Sequence, residues 1–105
     1  MASIAVTTFL PTVALAQEAG RTYRIGTVVT VPLTDMTIAT VLEELKGLGF
    51  VEGKNLVVDP RGLSLRPDQM AAVARQLAEA KVDLFLTGGG VATKAAQAAS
   101  STIPI

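Results

Sequence analysis

The feature that most constrains the fold is an alternation. From Tyr23 onward, short apolar runs of strand length take turns with longer stretches whose apolar residues recur every three or four positions. Residues 23–30 read Tyr-Arg-Ile-Gly-Thr-Val-Val-Thr, a β-rich run closed off by Pro32. Ile38, Val41, Leu42, Leu45 and Leu48 then form the apolar stripe of a helix, with Glu43, Glu44 and Lys46 on its other side. Gly49 stands where a left-handed residue ends a helix, and Phe50 is placed to fold back on the final turn. After the polar turn Glu52-Gly53-Lys54-Asn55, residues 56–58 predict a second strand.

Residues 59–66 lose periodicity and carry Pro60, Gly62 and Ser64, which reads as a loop, with Asp59 and Arg61 solvated or at a crevice edge. Pro67 suits the first position of a second helix and Asp68 its positive end. Met70, Val73, Ala74, Leu77 and Ala80 supply that helix's buried stripe. Residues 82–87 predict a third strand covered on both faces, in which Asp83 bonds nearby backbone. Gly88-Gly89-Gly90 closes it, residues 91–100 predict a third helix, and residues 102–105 read as the start of a fourth strand. Strands joined through helices run parallel with right-handed crossovers, so the expected fold is α/β, a doubly wound parallel sheet of βαβαβα plus the start of a fourth strand. On this reading residues 23–105 are a truncated α/β unit of marginal stability, with one side of the third strand uncovered.

Composition narrows the chemistry. Nine basic residues balance nine acidic ones with no run of either sign, which disfavours nucleic acid as a partner. There is no cysteine and no histidine, so thiol nucleophiles, imidazole bases, disulfides and most transition-metal sites are excluded. One tyrosine and three phenylalanines lie too scattered for a base-stacking platform. No catalytic residue, metal site or cofactor is expected.

The first residues differ from the rest. Residues 1–16 are apolar, too short to span a bilayer, and end in Ala14-Leu15-Ala16, the small-x-small pattern that signal peptidase accepts. They read as an export leader, with residues 17–22 as a linker, although no Lys or Arg precedes Arg21 to give the usual basic opening. The alternative is a buried apolar strand or helix. With no cysteine near the cleavage point, a lipoprotein anchor is excluded for the chain as given.

In an open parallel sheet a ligand lies beyond the carboxyl ends of the strands, where strand order reverses. For the order 2-1-3-4 that crevice falls between the first and third strands. Thr30, Val31 and Pro32 follow the first; Gly88, Gly89, Gly90 and Val91 follow the third. The glycines either cradle an anion with backbone amides or simply permit the bend. Asp35 either caps the helix or meets a ligand amine. Thr30 and Thr87 place hydroxyls at the same end of the sheet. Neither Gly-x-Gly-x-x-Gly after the first strand nor Gly-x-x-x-x-Gly-Lys-Ser/Thr occurs, so a nucleotide site has no signature.

Tyr23-Arg24-Ile25-Gly26, the stretch Leu48-Gly49-Phe50-Val51-Glu52-Gly53-Lys54-Asn55, Lys81-Val82-Asp83-Leu84 and Ser101-Thr102-Ile103-Pro104-Ile105 together resemble the ABC-transporter substrate-binding proteins related to tryptophan- and tyrosine-binding proteins. The resemblance runs from Arg21 to Ile105. It implies the first lobe of a type I periplasmic binding fold, two α/β lobes closing on an amino-acid-like or other small organic solute that passes to an ABC permease, and a periplasmic location with no membrane span after leader cleavage. It places ligand contacts at Thr30, Val31 and Pro32 and at Gly89, Gly90 and Val91. Relatives often carry Thr-Pro or Ser-x-Ala after the glycines, whereas here Gly90-Val91-Ala92 lacks that hydroxyl. The rival reading on the same layout is a cytoplasmic flavodoxin-like or nucleotide-using enzyme.

Overall fold

The computed structural model describes residues 20–105. The expected leader, residues 1–16, and the first part of the linker lie outside the described residues. In chain order the elements are β1 (Tyr23–Val28), α1 (Met36–Gly47), β2 (Leu56–Asp59), α2 (Met70–Glu79), β3 (Leu84–Thr87) and α3 (Gly90–Ala99). Short 3-10 turns, Pro60–Gly62 and Pro67–Gln69, precede α2. The three strands form a parallel sheet in the order β2-β1-β3, with Tyr23 opposite Leu56 and Val28 opposite Thr87. Strand order therefore reverses between β1 and β3, as a doubly wound α/β layout requires.

Alternation along β1 divides the sheet's faces. Val28 joins Phe85, Leu77, Met70, Ala74, Ala92 and Ala96 in the core beneath α2 and α3. Phe85, Leu77 and Val28 are fully buried, and each such burial contributes about 1.5–3 kcal/mol relative to exposure. Ala92 and Ala96 are small enough for α3 to lie close against α2. On the other face Ile25 and Val29 look toward α1, whose buried residue is Ile38; Val41, Leu42 and Leu45 are only partly covered.

Local chemistry sets the helix ends. Asp35 caps α1 by accepting the Thr37 amide at 2.9 Å. At its far end the amide of Gly49 donates to the Lys46 carbonyl and that of Phe50 to the Leu45 carbonyl, with Gly49 at φ +96°. This is the two-bond left-handed termination expected from Gly49 and Phe50. Helix α2 ends with the same bonds, Lys81 to Ala78 and Val82 to Leu77, but its left-handed residue is Lys81 at φ +59°. The helix stops at Glu79, which leaves Ala80 at the cap and exposed rather than in the buried stripe. Pro67 opens a 3-10 turn that leads into α2 at Met70, not α2 itself.

Two expectations change. Residues 60–66 form a loop opened by the 3-10 turn, with Pro60, Arg61, Ser64 and Arg66 exposed, but the loop is tied to the sheet: the Gly62 carbonyl accepts the Val29 amide, Ser64 donates to Val31 and Leu65 to Val29. Asp59 is 2 % exposed and pairs with Arg61 at 3.0 Å and Arg24 at 3.3 Å. Residues 102–105 form no strand. The Phe85 amide donates to the Pro104 carbonyl at 2.9 Å, but proline has no N–H to return to a ladder.

Candidate functional site

Incomplete cover by α1 leaves a cavity beneath each end of that helix. The first lies at the carboxyl ends of β1 and β3, the switch point, with a volume of about 250 Å³. Val29, Thr30 and Val31 follow β1, Leu86 and Thr87 end β3 with Gly88 just after it, and Asp35, Thr37, Ile38 and Val41 come from α1 and its cap. Pairing of Val28 with Thr87 and the bond from the Gly88 amide to the Val28 carbonyl, 3.2 Å, hold the two strand ends together. Val29, Ile38, Val41 and Leu86 give apolar walls. Thr30, Asp35 and Thr37 add polar groups.

Of the residues singled out from sequence, Thr30 and Val31 line this cavity together with Thr87 and Gly88. Pro32 lies outside the lining, its carbonyl accepting the Asp35 amide at 3.0 Å. Gly89, Gly90 and Val91 are also outside it and exposed. Gly89 has φ +96°, a bend that glycine permits. The Thr93 hydroxyl lies 2.9 Å from the Gly89 carbonyl and 2.9 Å from the Thr87 hydroxyl. Sequence reasoning missed Thr37, Ile38, Val41 and Leu86. The available signal was the start of the α1 stripe, which must face the sheet where the crevice opens.

The cavity's electrostatics are one-sided. Among the described residues that line it, Asp35 is the only charged one, and none is Lys or Arg.

The second cavity, about 260 Å³, lies at the amino ends of the strands and is lined by Tyr23, Arg24, Ile25, Leu45, Phe50, Leu56, Asp83 and Leu84. Arg21 reaches Asp83 at 2.6 Å and stacks over the Tyr23 ring at 4.3 Å, and Tyr23 meets Phe50 edge to face. Asp83 also accepts the Arg24 amide at 2.8 Å, the backbone role expected for it. These contacts tie the start of the chain's described part to β3, at the end of the sheet away from the switch point.

Asp59 is the last residue of β2, opposite Gly26. Burial pushes its pKa up, but the amide and guanidinium of Arg61 bonded to it, with the charges of Arg61 and Arg24, outweigh that and hold the carboxyl below its ordinary value. Among the described residues there is no group of three potential metal ligands, and no helix is long and apolar enough to cross a membrane. Comparison of the chain with protein-family models, curated proteins and solved structures gives no match.

Proposed function

We propose that this chain is the solute-binding component of an ABC importer, acting in the periplasm, and that the cavity at the carboxyl ends of β1 and β3 is its part of the solute site. The observation that carries the reading is the position and composition of that cavity. It stands at the switch point of a parallel sheet, with apolar walls and a few polar groups, the character of a small-molecule site. The sequence resemblance supplies the importer role. In this reading the chain provides a first lobe of the type I periplasmic binding fold, and a second α/β lobe closes over a small organic, amino-acid-like solute. Solute bridging the lobes stabilises the closed form, which the permease recognises; the affinity difference between open and closed forms drives the switch. Binding and release need no covalent step. Among the described lining residues there is no Lys or Arg, so the site offers a nucleotide's phosphates no side-chain cation from them.

The test is thermal unfolding across a panel of amino acids and small organic solutes, because a ligand that binds only the folded form raises the melting temperature by mass action. The reading expects at least one member of the panel to do so. A panel without any shift overturns it.

A further inference from the structure

We propose that, while residues 1–16 remain attached, the cavity at the amino ends of the strands is filled by the chain's own residues 13–16, with Val13 and Leu15 entering it. Docking there is independent of solute binding at the switch point. The cavity favours an uncharged apolar occupant. Tyr23, Leu45, Phe50 and Leu84 line it and are only half-buried, and covering such surfaces removes them from water. Its two charged lining residues are already paired, Asp83 with Arg21 at 2.6 Å and Arg24 with Asp59 at 3.3 Å. Its volume is about 260 Å³. A dry apolar cavity of roughly 150 Å³ takes up a benzene ring, so two aliphatic side chains are of a suitable size.

The described part of the chain begins at this cavity's rim. Arg21 is held from two sides, by the Asp83 carboxylate and by the Tyr23 ring, whose centre lies 4.3 Å from its guanidinium, and both partners line the cavity. Just before it Gly20 stands at φ +79°, a turn that glycine permits. The preceding residues are therefore tethered beside the cavity. Val13 and Leu15 are the last large apolar residues before that turn, and no charged side chain precedes Glu18. An extended stretch from Leu15 to Gly20 reaches about 17 Å, enough to double back from Arg21 across the cavity. A short tether also holds the segment at an effective concentration in the millimolar range, which favours it over a second copy of the chain or a free apolar molecule.

The chain has no cysteine, so Thr12→Cys carries a nitroxide spin label at one place only. In the uncleaved 105-residue chain the amide NMR signals of Phe50, Leu56 and Leu84 are expected to lose most of their intensity and to regain it when the nitroxide is reduced. Thr30 and Gly88, at the opposite end of the sheet, are expected to keep theirs. Val13→Asp combined with Leu15→Asp in the labelled chain is expected to abolish the loss, because an unpaired carboxylate resists burial among apolar side chains. Both positions precede the described fold, and unchanged signals elsewhere check that the double variant stays folded. In a mixture of spin-labelled chains with isotope-labelled chains that carry no nitroxide, no loss is expected. Loss of the same signals in that mixture assigns the cavity to a second copy and overturns the proposal. Full intensity at Phe50, Leu56 and Leu84 in the spin-labelled chain overturns it too, as does a loss centred on Thr30 and Gly88 or one that persists in the double variant.

Discussion

Gly62 lies against the backbone of Thr27 so closely that a Cβ at position 62 would overlap the Thr27 carbonyl oxygen. The contact is possible because the segment after β2 turns back along β1, where the Gly62 carbonyl accepts the Val29 amide at 3.1 Å. Gly62→Ala must push two backbone segments apart, and neither can swing away as a flexible side chain would. The expected cost is about 3 kcal/mol or more, at the upper end for an overpacked site. Urea unfolding of the variant measures it; an unchanged midpoint would contradict the contact.

Beside that glycine, the Thr27 hydroxyl is fully buried and has no hydrogen-bond partner among the described residues. An unpaired buried hydroxyl costs about 1–3 kcal/mol. Thr27→Val keeps the shape and removes the unpaired group. It is expected to be neutral or to stabilise the fold by about 1 kcal/mol, read by the same unfolding experiment.

Asp59 is expected to carry part of the acid sensitivity of the fold. Its pKa is lower folded than unfolded, so the stability it contributes is present in full above the unfolded value of about 3.9 and is lost as pH falls through the lowered folded value. Asp59→Asn, which leaves Arg24 and Arg61 without their buried negative partner, is expected to cost about 1–3 kcal/mol at neutral pH. The difference from the unaltered protein should shrink as the pH drops below about 4. Stability curves against pH check both statements, and a gap that widens in acid would contradict them.

The matching ends of α1 and α2 give an opposed pair. Gly49→Ala places a Cβ on a residue at φ +96° and is expected to destabilise by about 1 kcal/mol. Lys81→Gly relieves a lysine held at φ +59° and is expected to stabilise by roughly 0.5–1 kcal/mol, after the greater chain entropy of glycine is subtracted. Thermal melts of the two variants should move in opposite directions.

These details show what a sequence can and cannot disclose. The end of α1 was legible because glycine stands at the one residue that must be left-handed, and Phe50 follows it. The identical end of α2 was not, because Lys81 takes that conformation without announcing it. Strands and helices came from periodicity, which depends only on which side of each element is buried. Asp59 was misread for the complementary reason: its segment has no period, and its burial comes with strand pairing to Gly26 and ion pairs to Arg24 and Arg61 that no local pattern encodes. At the candidate site, Thr30, Val31, Thr87 and Gly88, singled out from the strand ends, line one cavity. The contribution of α1 was hidden, because its stripe residues look alike whether they meet core or cavity. The glycine run drew attention away to Gly89 and Gly90, whose visible role is the bend.

The central claim is that solute binds at the carboxyl ends of β1 and β3. It is tested most directly by recording backbone amide NMR spectra with the solute that gives the largest thermal shift. The account predicts that the largest changes fall on Thr30, Val31, Thr87 and Gly88. Changes centred instead on Tyr23, Leu56 and Leu84, around the cavity at the opposite end of the sheet, would contradict it.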